Sequence, residues 1–349
     1  LGKTSQDQKE SILSKILPTT NLKELSEADL IIEAVFEDPK VKSDITKEVE
    51  RAISTECIFA SNTSTLPIND LAKASSRPDQ FIGIHFFSPV EKMRLVEIIR
   101  GKQTNDTAVA KALDFVRQIK KTPIVVNDAR FFYANRCIIP YINEGIRMVS
   151  EGIPPSMVNN AAQMLGFPVG PIQLVDETSI DLGAKIARAT KAAMGQNYPD
   201  DCVDEVIFWM EKIGRLGRKS KAGFFDYDDK GKRTGYWSGL KEKYPYSTNQ
   251  PSLLDVQHRL MFVQVLEAVR ALEEGVLMDI REGDVGAILG WGFAPWSGGP
   301  LSWLDILGTA YATERCEELC SIYGNRFKPP SLLIEMGKTG EEFYSRFAT

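Results

Sequence analysis

The hydrophobic pattern of the sequence changes near residue 127, and this change most constrains the fold. Before it, apolar runs of strand length alternate with amphipathic helical segments, whereas the later sequence has the periodicity of helices alone. The strand-like runs lie at residues 29–35, 57–60, 81–87, 95–99 and 122–126. Such alternation predicts a parallel, doubly wound sheet followed by a helical remainder.

The helical remainder contains an internal repeat. Residues 136–152 match residues 259–275 without a gap, keeping two arginines, two glutamates and the final glycine in register. Further along, residues 166–176 are echoed by residues 292–305 with small insertions. Two copies of one helical unit imply a duplication, in which each copy packs on the other or on the sheet. A connector rich in Gly, Lys and Tyr, at residues 214–251, separates the copies.

Composition excludes several classes of function. The formal net charge of -5 argues against a nucleic-acid-binding surface, and no apolar run is long enough to cross a bilayer. Five cysteines without a C-x-x-C pair indicate free thiols in a reducing compartment, so we expect a cytoplasmic protein. Cys316 and Cys320 have helical spacing, but both histidines lie far from them in sequence, so we expect no metal site.

Two predicted strands carry polar residues in apolar surroundings. His85, one of two histidines, lies near the end of one run, and Glu97 interrupts the branched apolar residues of the next. A buried carboxylate needs a cationic or hydrogen-bonding partner, and His85 is the obvious candidate. A carboxylate favours the imidazolium form of histidine, which makes such a pair a good proton acceptor. Taken alone, the two residues also fit a core histidine and a surface carboxylate.

Polar residues follow the predicted strands. Ligands of open α/β sheets bind beyond the carboxyl ends of the strands, where this sequence has Glu37, Lys42, Asn62, Ser64, His85 and Ser88. These side chains suit a nucleotide-like cofactor and a polar carbonyl or alcohol. A nucleophilic triad of Ser64, His85 and Glu97 is the competing interpretation, although Ser64 lies in no G-x-S-x-G elbow. No G-x-G-x-x-G phosphate loop follows a strand either.

Several spaced motifs agree with one family. They are I-E-A-V-F-E-D at 32–38, A-S-N-T-S at 60–64, G-I-H-F-F-S-P at 83–89, L-V-E-I-I at 95–99, and Asn135-Arg136 followed by Pro140-Tyr141. In order and spacing they resemble the L-3-hydroxyacyl-CoA dehydrogenase family, specifically the C-terminal part of multifunctional fatty-acid β-oxidation proteins of the enoyl-CoA hydratase/3-hydroxyacyl-CoA dehydrogenase type. The resemblance covers nearly the whole chain, and the second helical repeat is similar to that of the larger, multifunctional members.

The resemblance implies a fold and a domain organisation. The fold would be an α/β Rossmann-like doubly wound sheet, N-terminally truncated, followed by two all-α helical repeat domains. A partial NAD-binding domain would span residues 1–122, a first helical dehydrogenase C-terminal domain residues 123–245, and a second helical repeat residues 246–349. Members of the family carry an earlier βαβ unit with a glycine-rich loop, so the chain is expected to be a fragment.

The resemblance also implies an activity, the NAD-dependent oxidation of L-3-hydroxyacyl-CoA to 3-ketoacyl-CoA. His85 would be the general base, Glu97 would orient it and stabilise its charge, and Ser64 and Asn135 would hydrogen-bond the substrate oxygens. Positions that line the cofactor in the family match Ala34, Glu37, Lys42, Asn62 and Ser88.

The implied partners are an acyl-CoA substrate, an N-terminal enoyl-CoA hydratase domain, a thiolase and further subunits of an oligomer. The alternative is a non-catalytic scaffold or binding module within a β-oxidation complex. The sequence departs from the family at Arg130-Phe131, where Pro-Gly is usual. A bulky residue at a turn position that usually holds glycine is expected to affect the turn and the placement of Asn135.

Because the sequence contains no G-x-G-x-x-G loop, we expect the chain as given to bind NAD weakly or not at all. Isothermal titration calorimetry of the chain with NAD measures this. Micromolar affinity would contradict the expectation.

Overall fold

The first part of the protein is a five-stranded sheet with the strand order β1-β2-β3-β4-β5. The computed structural model describes residues 4–198 and 202–347. The strands are β1 (Leu30–Glu33), β2 (Ile58–Ser61), β3 (Phe81–Phe86), β4 (Leu95–Arg100) and β5 (Thr122–Asn127). The helices of this part are α1 (Gln6–Leu13), α2 (Pro39–Glu50), α3 (Ile68–Ala72) and α4 (Asp106–Gln118). This arrangement confirms the predicted Rossmann-like α/β class.

The sheet is mixed, so the prediction of an entirely parallel sheet is wrong at one connection. The pairs β1-β2, β2-β3 and β4-β5 are parallel, but β3 and β4 are antiparallel. Only residues 87–94 join β3 to β4. A parallel crossover needs a dozen or more residues, so this short connection permits only an antiparallel pair.

Side chains on the two faces of the sheet enter different hydrophobic cores. Ile82 and Ile84 of β3 belong to a smaller core that includes residues of α4. Phe81 of β3, with Leu95 and Ile99 of β4, belongs to a larger core shared with the helical half of the chain. Because side chains alternate along a strand, odd-numbered residues of β3 and β4 face that helical half.

The remainder of the protein is mainly helical. Its helices are α5 (Ala134–Ser150), α6 (Pro155–Met164), α7 (Pro171–Thr178), α8 (Ile180–Met194), α9 (Cys202–Lys212), α10 (Ser238–Lys243), α11 (Leu253–Glu273), α12 (Ile280–Trp291), α13 (Pro300–Leu307), α14 (Thr309–Tyr323), α15 (Ser331–Thr339) and α16 (Phe343–Phe347). A hairpin of β6 (Phe225–Tyr227) and β7 (Arg233–Tyr236) lies in the predicted connector, so this half is not all-α as predicted. No helix within the described ranges is long and apolar enough to span a membrane.

The two sequence repeats pack against each other through α5 and α11, and they exchange matching ion pairs. Arg136 pairs with Glu267 and Glu274, while Arg259 pairs with Glu144 and Glu151. The second set repeats the first with the roles of the helices reversed, as across the two-fold axis of a symmetric dimer. The side chains of Arg259 and Glu144 are both fully buried. The duplication read from the sequence is therefore also a structural one.

The second repeat also covers one edge of the sheet. Leu277 forms an isolated antiparallel bridge with Val126 of β5, and Glu282 accepts a hydrogen bond from the backbone N–H of Val125 at 2.7 Å. Within α12, Gly290 comes so close to β4 that a Cβ atom there would lie 2.5 Å from Leu95 Cδ2. The strand β5 is thus part of the sheet, although the domain boundary predicted after residue 122 placed it with the helices.

Each repeat caps a helix with an equivalent side chain. Asn159 of α6 accepts from the N–H of Ile172, whereas Asp284 of α12 accepts from the N–H groups of Leu301 and Ser302. Burial raises the pKa of Asp284 to about 6, because the hydrogen bonds from Leu301, Ser302 and Tyr344 offset only part of the cost of burying its charge.

We expect Asp284→Asn to change how stability depends on pH. The folded pKa of about 6 exceeds the unfolded value of 3.8, so the folded state holds an extra proton between these pH values, and the contribution of Asp284 to stability falls as pH rises through them. The substitution removes this loss, because an amide does not titrate in this pH range, and the new Oδ1 can still accept one backbone hydrogen bond as Asn159 does in the first repeat.

Urea unfolding at pH 4.5 and 7.5 measures this change. Relative to wild type, the variant should gain on the order of 2 kcal/mol between the two pH values. The same pH dependence in both proteins would contradict the prediction. In the variant, the amide nitrogen replaces the oxygen that accepts from the N–H of Ser302, so that hydrogen bond is lost at both pH values. The comparison between pH values therefore isolates the effect of the Asp284 charge.

Candidate functional site

The structure brings His85 and Glu97 together on the sheet. The two residues are paired directly across the antiparallel strands β3 and β4, and both have the odd numbering of the face that meets the helical half. Their side chains are 4% and 0% exposed, and His85 Nδ1 lies 2.9 Å from Glu97 Oε2. The alternative of a surface carboxylate is therefore wrong, because Glu97 is fully buried.

The second carboxylate oxygen of Glu97 binds the N-terminus of α5. Glu97 Oε1 accepts hydrogen bonds of 2.9 Å from the backbone N–H groups of Tyr133 and Ala134. This helix has no side-chain cap from a neighbouring residue, so a strand residue supplies one. The positive end of the helix dipole also favours a carboxylate at this place. Glu97 thus connects the sheet, the imidazole and the first helical repeat.

The geometry fixes the proton on one nitrogen of His85. Because Nδ1 faces a carboxylate oxygen, Nδ1 carries the proton in the neutral ring and Nε2 has a free lone pair. Within residues 4–198 and 202–347, no group hydrogen-bonds to Nε2. The rings of Phe87 and Phe132 lie beside the imidazole, with centroids 4.5 and 6.0 Å away. His85 therefore presents a proton acceptor in partly apolar surroundings.

Asn135 and Ser64 also meet. Asn135, in the first turn of α5, donates from Nδ2 to the backbone carbonyl of Ser64 at 2.8 Å. In the described part of the chain, neither Ser64 Oγ nor Asn135 Oδ1 has a hydrogen-bond partner, so both remain available to a ligand. Asn62 accepts a hydrogen bond of 2.9 Å from the N–H of Phe86, which joins the turn after β2 to the end of the His85 strand.

Glu37 holds the turn that carries Ser64. Its Oε1 accepts from Thr63 Oγ1 at 2.6 Å and from the N–H groups of Ser64 and Thr65 at 3.0 and 3.2 Å. Burial alone would raise the pKa of Glu37, but the Thr63 hydrogen bond and the charge of Lys42 outweigh it, so the pKa lies below its usual value. Glu37 is consequently a carboxylate that orders the Ser64 backbone.

Lys42 lies beneath this turn and is not exposed to the crevice. Its side chain is 2% exposed, and Nζ lies 2.9 Å from Glu33 Oε1 and 3.2 Å from Glu37 Oε2. Glu33 in turn accepts from Ser61 Oγ at 2.7 Å. The geometry gives Lys42 the task of holding Glu37 in place, and any effect on a bound molecule would pass through that carboxylate.

Two predicted cofactor residues lie at the surface. Ala34 follows β1 and Ser88 follows β3, and both are exposed at the carboxyl ends of parallel strands. Ser88 precedes Pro89 through a cis peptide bond. Neither side chain bonds to another predicted site residue in the ranges that the structure describes. Their role in binding a cofactor stays a prediction.

The turn before α5 keeps a conformation that favours glycine. Phe131 has φ of 67° and Phe132 has φ of 52°, in the left-handed region. Each costs roughly 1–2 kcal/mol for a residue with a side chain. Asn135 nevertheless reaches Ser64, so the departure from Pro-Gly adds strain to the turn without displacing Asn135.

Sequence reasoning missed four contributors to the site. Glu33 interrupts an apolar strand just as Glu97 does, and that signal could have identified it. Phe87, Phe132 and Tyr133 surround the histidine and its carboxylate, but nothing in their local sequence distinguishes them from core aromatics.

Comparison with known proteins gives consistent findings. A family model described as the NAD binding domain of 3-hydroxyacyl-CoA dehydrogenase matches residues 1–129, and one described as the C-terminal domain of the same family matches residues 132–227. The chain is 33% identical to (S)-3-hydroxybutyryl-CoA dehydrogenase from Ralstonia eutropha, over 65% of this chain and 80% of that one, with a TM-score of 0.60.

Two further structures match nearly the whole chain. The dehydrogenase part of multifunctional enzyme 1 from C. elegans is 28% identical, with 97% of this chain and 77% of that one covered and a TM-score of 0.67. The 3-hydroxybutyryl-CoA dehydrogenase from Escherichia coli is 22% identical, with coverages of 97% and 87% and a TM-score of 0.80. At that identity, the E. coli protein shows likeness of fold alone.

Glu97→Gln should move the proton of His85 from Nδ1 to Nε2. The new amide oxygen can keep the hydrogen bonds from Tyr133 and Ala134, which turns the amide NH₂ group towards Nδ1 and makes Nδ1 an acceptor. Nitrogen-15 shifts of the imidazole report the tautomer. The signals of His258, the other histidine, should stay unchanged, and retention of the proton on Nδ1 of His85 would disprove the expectation.

Proposed function

The chain belongs to the 3-hydroxyacyl-CoA dehydrogenase family of NAD-dependent oxidoreductases, and from that premise we propose that it oxidises L-3-hydroxyacyl-CoA to 3-ketoacyl-CoA in fatty-acid β-oxidation. The observation that carries the proposal is the buried His85-Glu97 pair with a free lone pair on Nε2. The matched family models and the order of the motifs support it.

His85 is the general base in this proposal. Its Nε2 takes the proton of the 3-hydroxyl group, and the resulting imidazolium donates from Nδ1 to Glu97. Glu97 stabilises that positive charge and, held by the two N–H groups at the start of α5, keeps the ring in one orientation. In the reverse direction the same imidazolium returns the proton to the substrate oxygen.

Ser64 and Asn135 position the substrate. Ser64 Oγ can donate to the oxygen on C3, and the second N–H of Asn135 Nδ2 can donate to a substrate oxygen, because in the described part of the chain only its other N–H has a partner. The bond from Asn135 Nδ2 to the Ser64 carbonyl fixes the spacing of the two residues. Such fixed groups hold the reacting carbon in place and lower the entropy cost of the reaction.

The residues at the carboxyl ends of β1 to β3 fit the reactive end of NAD. Ser64 follows β2, His85 lies near the end of β3, and Asn135 is bonded to the Ser64 carbonyl, while Ala34 and Ser88 are exposed after β1 and β3. When bound, NAD would accept the hydride that leaves C3. Ala34, Glu37, Asn62 and Ser88 would hold it, with Lys42 supporting Glu37 from beneath.

We extend the proposal to the setting of the enzyme. The proposed setting is an oligomeric, cytoplasmic multifunctional protein with a hydratase domain and a thiolase partner. Similarity to the dehydrogenase part of a multifunctional enzyme from C. elegans supports its multifunctional character. A purely structural scaffold is the second candidate. Phe293 and Trp303 of the second repeat are core residues, however, whereas Trp296 is 58% exposed and could offer its ring to a partner.

His85→Gln should lower the rate of acetoacetyl-CoA reduction by NADH about 10²–10⁴-fold in the whole protein that carries this chain, with little change in KM. The loss of absorbance of NADH measures the rate. His258→Gln is the matched control, because this second histidine lies in the other repeat, and it should keep wild-type turnover. Undiminished turnover in His85→Gln would exclude the proposed mechanism and favour the scaffold.

A further inference from the structure

The His85-Glu97 pair depends on a strained turn. The N–H groups that hold Glu97 belong to Tyr133 and Ala134, which directly follow the two left-handed residues Phe131 and Phe132. Two adjacent side chains in that conformation strain the backbone. Such a backbone persists only where packing prevents its relaxation. The contacts around the turn therefore decide where the two N–H groups point.

Tyr133 is fully buried in this turn, and the second repeat packs against it. Its side chain is fully buried, and its ring packs edge-to-face on Trp291 of α12 with centroids 5.6 Å apart. The backbone of α12 also lies close to the Tyr133 hydroxyl, because a Cβ atom added at Gly283 would be 3.2 Å from it. The residue that donates to Glu97 is thus packed against a helix more than 140 residues away in sequence.

Packing holds the Tyr133 ring, and the thiol of Cys137 is a polar group beside its hydroxyl. In the described part of the chain, its hydroxyl group is a buried polar atom without a hydrogen-bond partner. An unsatisfied buried hydroxyl is itself unfavourable, so the ring would move to gain a partner if space opened beside it. Trp291 packs against the ring of Tyr133, with centroids 5.6 Å apart, so its removal would open space beside that ring.

Trp291 is itself fixed to the second repeat. Its Nε1 donates to Gln264 Oε1 at 3.0 Å, and Gln264 Nε2 donates to the carbonyl of Leu260 within α11 at 2.8 Å. Gln264 is fully buried. These hydrogen bonds anchor the Trp291 indole to α11, so the indole does not move together with the turn.

We propose that Trp291 is a positioning residue for the His85-Glu97 pair, and that the second helical repeat thereby maintains the geometry of a site to which it contributes no catalytic group. Trp291 fixes the Tyr133 ring, the ring fixes the N–H groups of Tyr133 and Ala134, and these groups fix Glu97 against His85. The importance of this arrangement for turnover rests on the proposed function, whereas the arrangement itself can be tested without activity.

The presence of only two histidines makes a direct test possible, because ring signals of His85 and His258 can be followed separately by NMR. In Trp291→Ala, the proton on His85 Nδ1 and the amide protons of Tyr133 and Ala134 should exchange with solvent at least tenfold faster than in wild type. The His258 signals should not change. Trp291→Phe retains an edge-to-face partner for Tyr133 and should restore slow exchange.

Trp303→Ala is the matched control. Trp303 is a buried tryptophan of the same repeat, but its neighbours are Phe262 and His258, with ring centroids 5.1 and 6.4 Å away. This variant should alter the His258 signals and leave those of His85 at wild-type values. Equal loosening of both histidines in both variants would show general destabilisation and overturn the proposal.

Tyr133→Leu provides a second route if Trp291→Ala does not fold. It keeps the backbone N–H group but removes the ring, so it should produce the same faster exchange at His85. Wild-type exchange at His85 in whichever of these variants folds would refute the positioning role.

Kinetics separates this proposal from the proposed function. Trp291→Ala should lower kcat about tenfold with a smaller change in KM, and Trp291→Phe should recover it. If His85→Gln retained full turnover, the proposed function would fail while the exchange measurements still tested the packing. If His85→Gln lost turnover but Trp291→Ala kept wild-type kcat and exchange, only the positioning role would be refuted.

Discussion

The structure depends on the buried carboxylate of Glu97. One oxygen faces His85 Nδ1, and the other accepts from the N–H groups at the start of α5. A carboxylate in an apolar interior costs several kcal/mol unless all of its hydrogen-bonding capacity is used, and here both oxygens are bonded. The same interaction therefore orients the proposed base and fixes the first helical repeat on the sheet. Loss of either contact would leave one oxygen of the buried Glu97 carboxylate without a hydrogen bond, and the cost of burying its charge would no longer be offset.

The two repeats share the packing of their first helices, α5 and α11, but they differ in the residue at one matching position. His258 stands at the position that matches Asn135, but it accepts a hydrogen bond from Arg315 Nε at 3.0 Å. Burial and the charge of Arg315 lower the pKa of His258 to about 4, so this histidine stays neutral near pH 7. It serves packing beside Trp303, while Asn135 faces Ser64 of the sheet domain. The first repeat therefore supplies a group to the site, and the second supplies support.

The second repeat contacts the sheet domain and the turn before α5 through the helix α12. The helix α12 lies so close to β4 and β5 that a Cβ atom at Gly290 or Gly286 would lie 2.5 Å from Leu95 Cδ2 or 2.8 Å from Ile124 Cδ1, and Glu282 bonds to the backbone of Val125. The ring of Trp291 then packs on Tyr133. Because protein interiors are close-packed, a displacement at α12 would be transmitted to the residues that touch it. A duplicated domain can in this way serve a site that it does not line.

The sequence by itself determined the elements and most of the chemistry. The period of its apolar residues predicted the sheet and the helices, and its internal match predicted the duplication. Two polar residues in apolar strands made His85 and Glu97 candidates, and the resemblance to the family gave them their proposed roles. Only the tertiary structure decided that Lys42 lies beneath Glu37, that Glu97 binds the N-terminus of α5, and that Tyr133 meets Trp291. The partners in these contacts are chosen by packing and by the need to satisfy buried polar groups, which no local period records.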